Sequence, residues 1–247
     1  MHPEASGSTR PVFLLVTCEH GGNHVPPRYQ PLFAAAGDIL ATHRGLDLGA
    51  LPVALHLADR CAAPIIFSTT TRLLIDLNRS LDQPDVFSEF SRGVSDAERA
   101  GIIAEYYQPH RSSVQRTIAA AIRAGHCVLH LGIHSCTDVL NGAVRDLDIS
   151  LLFDPARAVE TLFCDAWRTE LRAQAPTLRY PFNEPYQGSA DGLTTTLRTT
   201  FAPDDYLGIE VELRQGMIAD AEDRRRTGDL LADTLPAALA RAFSNGP

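Results

Sequence analysis

Val12-Phe13-Leu14-Leu15-Val16-Thr17-Cys18, followed at once by Glu19-His20-Gly21-Gly22-Asn23-His24, is the stretch on which the fold turns. The first seven residues form a short apolar run without polar alternation, the pattern of a buried strand. The next six are polar or glycine, so the strand ends there. An imidazole at a strand end, beside glycines that let a ligand approach the backbone, suits a metal site or a catalytic base. A histidine in a polar loop also serves as an ordinary hydrogen-bonding residue, and the stretch alone does not separate the two.

Working outward, short apolar runs alternate with helical patterns. Residues 48–60 predict a helix, with Leu48, Leu51, Leu55 and Ala58 near helical spacing. Pro52 belongs in a first turn, so the helix should start around Gly49 with Asp47 just before it. Residues 63–67 and 73–77 predict strands. Residues 95–124 predict a long helix opened by a Ser95-Asp96-Ala97-Glu98 capping box and kinked or divided at Pro109. Strands at 126–133, 148–153 and 206–213 and helices at 155–173 and 220–243 complete the reading. The fold class expected is α/β: a three-layer α/β/α sandwich around a mostly parallel or mixed sheet, one domain over residues 11–243 with a disordered N-terminus at 1–10. In such sheets ligands bind beyond the carboxyl ends of the strands. The polar clusters after Cys18, Leu77, Ile133 and Val211 all fall there.

Composition narrows the chemistry. Of 247 residues, 45% are hydrophobic, enough for a substantial core. The net charge of −8 argues against nucleic acid or an anionic membrane as partner, while leaving room for an anionic small substrate in a locally positive pocket. All 22 basic residues are arginine. Without lysine there is no Schiff-base chemistry, no phosphate-loop lysine and no Ser-Lys dyad. Neither GxGxxG nor GxSxG occurs. The five cysteines, Cys18, Cys61, Cys127, Cys136 and Cys164, form no cluster and fit free thiols in a reducing compartment. The apolar run at 12–16 is too short for a signal core or membrane span, so a cytoplasmic location is expected.

Three further motifs carry candidate chemistry. His126, His130 and His134 have HxxxH spacing, but the flanking residues predict a strand, where four residues span about 13 Å. They cannot all reach one ion, and His134, at the strand end, is the ligand candidate. Asn78-Arg79 closes the 73–77 run. A guanidinium there matches a carboxylate two-point fashion, or makes an ordinary surface ion pair. Glu210 and Glu212 share one face of a predicted strand. Two carboxylates on an inner strand are costly unless they meet cations, so either is a candidate base; on an edge strand they would simply be solvated.

Taken together, the chain resembles the N-formylglutamate amidohydrolase family over about 12–225. The resemblance rests on Cys-Glu-His-Gly-Gly-Asn at 18–23, Leu-Asp-Leu-Gly-Ala at 46–50 and Arg-Leu-Leu-Ile-Asp-Leu-Asn-Arg at 72–79. Ile-His-Ser at 133–135, Asn-Glu-Pro-Tyr at 183–186 and Glu-Leu-Arg-Gln at 212–215 follow in the family's order. The family is similar, distantly, to zinc carboxypeptidases, which implies their α/β/α fold and one catalytic Zn2+ (another divalent ion fits the same donors). The resemblance implies His20 and His134 as metal ligands, with Asp47 as the acidic ligand and Glu19 as its rival. It implies Glu212 as general base, Arg72 as an oxyanion-stabilising group, and Asn78, Arg79, Asn183 and Tyr186 at the substrate. Relatives often carry a histidine where this chain has Thr195, Thr196, Arg198 and Thr199, and an acid where it has Gly216.

The activity implied is metal-dependent hydrolysis of an N-formyl or N-acyl acidic amino acid by zinc-activated water. Two alternatives remain from the residues alone: a catalytically silent binding relative, and a thiol amidase in which Cys18 works with His20.

Overall fold

The computed structural model describes residues 10–244. The expected disorder of the N-terminus falls mostly outside these residues. At the edge of that stretch the Arg10 guanidinium bonds Asp205 at 2.6 Å and the carbonyl of His126.

The elements are β1 (Val12–Cys18), α1 (Ala50–Arg60), β2 (Ile65–Phe67), α2 (Asp96–Ile102), α3 (Gln108–Arg123), β3 (Cys127–Cys136), β4 (Val139–Leu140), β5 (Ala143–Val144), β6 (Ile149–Leu152), α4 (Ala158–Gln174), α5 (Leu193–Thr200), β7 (Tyr206–Arg214) and α6 (Ala221–Ser244). Five strands form one sheet in the order β2-β1-β3-β7-β6. The first four run parallel, and β6 pairs β7 antiparallel at its edge. β4 and β5 make a separate small hairpin. The layers are those expected: a mostly parallel sheet with helices on both faces.

Period-two alternation sorts the sheet into two unlike faces. Val16 and Cys18 of β1, Leu129, Leu131 and Ile133 of β3, and Leu207, Ile209, Val211 and Leu213 of β7 all point into the main apolar core. There they meet α1, α4 and α6, with Trp167 donating to Thr234 at 2.8 Å. Leu15, Val128 and Tyr206 point the other way, against α3 and α5. By the same alternation Thr17, His130, His134, Glu210 and Glu212 lie on this second face. One face is apolar as far as Ser135 near the end of β3, and the other grades from apolar packing to polar chemistry at its carboxyl end.

Three expectations change. Residues 73–77 are turns and irregular backbone, not a strand. Their apolar side chains are buried instead in a second small core with Tyr29, Phe33, Val86, Phe87, Ile102 and Tyr107. A short apolar run reports burial, and periodicity alone cannot tell how it is buried. The helix α5 was not anticipated, because Leu-Thr-Thr-Thr-Leu-Arg-Thr-Thr is rich in β-branched residues. It is held from outside: Asn78 Oδ1 accepts from Leu193 N at 2.7 Å, and Arg111 donates to Thr196 at 2.6 Å. Gly21 and Gly22 do not open the backbone to a ligand. A Cβ at Gly22 would lie 2.6 Å from Thr69 O, so the glycines let the chain pass against 68–69.

The Ser95 capping box is present, and Pro109 does divide its helix. Pro109 lacks the N–H that a continuous ladder needs, and a single π turn at Ile103–Tyr107 comes just before it, between α2 and α3. α1 begins one residue after Gly49, whose φ of +79° is a left-handed conformation. A side chain there would be strained and would also meet Ile218 at 2.9 Å. This glycine delivers Asp47 to the mouth of the sheet. No helix among the described residues is long and apolar enough to cross a membrane.

Candidate functional site

Four chain segments meet at the carboxyl end of β1, β3 and β7. The Asp47 backbone N–H donates to His20 O at 2.9 Å, which joins the loop before α1 to the end of β1. Asp47 Oδ2 then lies 3.4 Å from His20 Nδ1 and 2.9 Å from His134 Nδ1. Donor atoms of these three side chains all fall within 4.8 Å of one another, and all three residues are buried. His134 stands opposite Glu212 in the parallel β3–β7 register.

Each imidazole is backed by a second carboxylate. His20 Nε2 lies 2.7 Å from Asp76 Oδ1. His134 Nε2 lies 3.2 Å from Glu19 Oε2, at ion-pair distance but without the alignment of a hydrogen bond. Glu19 also meets His110 at 3.4 Å. Arg72 closes the ring, donating to Asp47 Oδ1 at 3.2 Å and to Asp76 Oδ2 at 2.7 Å. Carboxylates behind metal-binding imidazoles fix their tautomer and orientation.

The charge balance is uneven. Glu19, Asp47, Asp76 and Glu212 are each at most 5% exposed, and among the described residues Arg72 is the one guanidinium bonded to any of them. Burial opposes ionisation of Asp47, but His20, His134 and Arg72 hold its carboxyl well below the usual range. Against the same cost of burial, His110 and His134 do likewise for Glu19, and Arg72 and His20 for Asp76. Burial disfavours a charged imidazole, yet the carboxylates raise the pKa of His20 and, more strongly, of His134. The site attracts positive charge. Two imidazole nitrogens and a carboxylate oxygen form a borderline donor set suited to zinc, so His20, Asp47 and His134 could hold a divalent ion. Glu212 differs from its neighbours. Burial and the Asp47 carboxylate push it up to about 7, partly offset by His134.

These groups open onto a cavity of about 610 Å³. Arg72, Asn78, Arg79, Tyr186 and Glu212 all line it, together with His20, Asp47 and His134. Arg79 donates to Asp191 O at 3.2 Å and lies 3.6 Å from Asp85. Asn78 accepts from Leu193 N and donates to Glu210 at 3.4 Å. Asn183 does not line the cavity. Its Oδ1 accepts from Phe153 N and Gly188 N, both at 3.0 Å, so its side chain ties a loop to the end of β6 and is not free for substrate. Cys18 points into the apolar core, where burial and the nearby Glu19 and Asp47 carboxylates raise its thiol pKa well above normal. That removes it as a nucleophile paired with His20. His126 bonds Ala121 O, and His130 is buried between Thr17 and Tyr206.

The departures from the family pattern have local partners. Thr195 donates to Ala190 O at 2.6 Å, Thr196 accepts from Arg111, and Arg198 pairs with buried Glu160 at 3.0 Å. A Cβ at Gly216 would lie 2.4 Å from Asp138 Oδ1, so an acid at 216 is replaced by a glycine where Asp138 comes in. Sequence reasoning gave no role to Asp76 or Arg145. Asp76 lies within the 72–79 motif, but only its contact with His20, 56 residues away, marks it.

The sequence matches the N-formylglutamate amidohydrolase family over residues 12–219. No curated protein matches it. Among solved structures, a gene product of Agrobacterium tumefaciens is similar at a TM-score of 0.80 and 29% identity, over 92% of this chain and 90% of that one. The N-formylglutamate amidohydrolase of Ralstonia eutropha shares the fold at a TM-score of 0.63 and 19% identity, over 96% of this chain and 95% of that one. A metallo-carboxypeptidase from Burkholderia cenocepacia is matched at a TM-score of 0.40 and 14% identity, over 99% of this chain and 60% of that one. With the match spanning the sheet and every segment that meets at its carboxyl end, the chain belongs to the N-formylglutamate amidohydrolase family, hydrolases that act on amide bonds of small molecules.

Proposed function

We propose that this protein hydrolyses the amide of an N-formyl, or other small N-acyl, acidic amino acid such as N-formyl-L-glutamate, using one divalent ion. The observation that carries the reading is the convergence of His20 Nδ1, Asp47 Oδ2 and His134 Nδ1, with Glu212 beside His134 in the sheet register. His20, Asp47 and His134 would hold the ion, and the donor set favours zinc. When bound, it supplies Lewis acidity that polarises the acyl carbonyl and makes water nucleophilic near neutral pH.

The remaining work falls to the chain. Glu212, with its pKa raised to about 7, takes the proton of the attacking water and delivers it to the leaving nitrogen. Asp76 and Glu19 keep the two imidazoles oriented. Arg72 is bonded to Asp47 and Asp76, so its part is to hold those carboxylates and keep a positive charge beside the developing oxyanion. Arg79 binds a substrate carboxylate and fixes the scissile bond near the ion. Asn78 keeps the wall between Arg79 and α5 in position, and Tyr186 lines the cavity. Five unpaired cysteines support a reducing compartment, and we assign the protein to the cytoplasm.

The test is a screen of purified protein against N-formyl and N-acetyl amino acids, with metal content measured alongside. The expected result is release of formate and free glutamate from N-formyl-L-glutamate, abolished by chelation and restored by zinc. Turnover unaffected by chelation, or none on any N-acyl amino acid by metal-loaded protein, would contradict the proposal.

A further inference from the structure

Four arginines line the cavity: Arg44, Arg72, Arg79 and Arg145. Three have carboxylate partners. Arg44 pairs with Glu89, Arg72 with Asp47 and Asp76, and Arg79 faces Asp85. Among the described residues Arg145 has none. Its Nη2 donates to Tyr186 OH at 3.1 Å, and its guanidinium lies 5.3 Å from the centre of that ring. Its Nη1 is buried without a hydrogen bond of normal geometry, and the group beside it is the Cys136 thiol, a weak acceptor. A guanidinium has five N–H donors, and here they meet a phenol and a thiol rather than a carboxylate, which leaves the fork able to take one from the cavity.

The backbone holds Arg145 at this wall. Its N–H donates to Asp138 O at 2.9 Å, closing the base of the β4–β5 hairpin. Asp138 in turn accepts from Gly216 N and pairs with Arg214 at the end of β7. The hairpin base is therefore anchored to the strand that carries Glu212. Arg79 enters the cavity from a different segment, beside Asp191. Two cations thus reach one cavity from two separately anchored walls.

We infer that Arg145 is a second carboxylate anchor, which with Arg79 makes the site selective for diacids over their monoamides and monoacids. This rests on the cavity being the substrate site of the proposed reaction. It assigns one carboxylate of an acidic amino acid to Arg79 and the other to Arg145. Tyr186, stacked on the guanidinium and hydrogen-bonded to it, sets the position of that fork.

The test reads binding separately from turnover. Dissociation constants of glutarate and its monoamide, glutaramate, are measured by calorimetry for wild type and Arg145→Gln, both metal-loaded. Wild type should prefer glutarate by about 10- to 100-fold, the value of one charge-assisted pair. Arg145→Gln should lose most of that preference while binding glutaramate unchanged. In kinetics the same variant should lower kcat/KM on N-formyl-L-glutamate but not on N-formyl-L-glutamine. Equal affinity of wild type for both ligands overturns the inference without any variant, should Arg145→Gln fail to fold. Retained preference in the variant overturns it too, as does an equal fall in kcat on both substrates, which would assign Arg145 to the oxyanion. An Arg145-dependent preference for glutarate in a protein that hydrolyses no N-acyl amino acid would sink the proposed reaction and keep Arg145 as a carboxylate anchor of the cavity.

Discussion

His134 and Glu212 are Cα partners across the parallel β3–β7 pair, so an imidazole and a carboxyl project side by side from the same face of the sheet. This register puts a candidate metal ligand and a candidate base in adjacent strands without help from any loop. Rigid strands hold such groups more closely than loops do.

Glu212→Gln is expected to keep the fold and the metal but lose about 10²- to 10⁴-fold in kcat, the usual worth of a positioned base. Because the base acts as the carboxylate, wild-type kcat/KM should fall as pH drops below its pKa. That pKa is about 7 without a metal and lower with a cation bound beside it. Steady-state kinetics with metal analysis checks this; a variant of near wild-type activity removes Glu212 from the role.

Asp47 and Glu19 are expected to separate by degree. Asp47 Oδ2 faces both Nδ1 atoms, whereas Glu19 lies behind His134. Asp47→Asn should abolish stoichiometric metal binding at neutral pH. Glu19→Gln should weaken it by about 10- to 100-fold, as loss of an orienting carboxylate does. Zinc titrations of the two variants decide between them, and the reverse order would make Glu19 the ligand.

Arg79→Ala is expected to raise KM for acidic substrates by about 10- to 100-fold with a smaller change in kcat. Its side chain makes one backbone hydrogen bond and one long ion pair, neither needed to hold a core. An unchanged KM would point to another anchor.

His130 gives a pH-dependent stability that is independent of catalysis. It is fully buried, bonded to Thr17 at 2.8 Å and Tyr206 at 2.7 Å, and burial pushes its pKa down to about 4. An unfolded histidine titrates near 6.5. Above about pH 6.5 the contribution is complete. As pH falls the unfolded chain takes up the proton first, so stability declines by up to about 3 kcal/mol and levels off below about pH 4. Urea unfolding from pH 8 to 4 should show wild type losing more stability than His130→Gln over about pH 6.5 to 4, the difference being the His130 contribution; the same pH dependence in both would contradict it.

Much of this was legible in the residues. The apolar runs that stop at Cys18, Ile133 and Val211 mark where polar groups gather, although β3 and β7 continue to Cys136 and Arg214, so His134 and Glu212 sit inside their strands rather than beyond them. Pro52 and Gly49 between them locate Asp47. What stayed hidden depends on partners far away in sequence. Residues 73–77 look like a strand because they are buried, and their burial is against loops. α5 forms from threonines because Asn78 and Arg111 hold it. Asn183 shares a motif with Tyr186, yet its side chain is bonded to backbone at Phe153 and Gly188. Arg145 carries no local signal, and its want of a carboxylate partner among the described residues shows only once the cavity has walls.

The central claim is that two imidazoles and one carboxylate share an ion. Anomalous diffraction at the zinc edge, from crystals of protein shown to be active, tests it most directly. The account predicts one peak per chain, within about 2.0–2.2 Å of His20 Nδ1, Asp47 Oδ2 and His134 Nδ1. A peak elsewhere, or active crystals without one at these atoms, would contradict it.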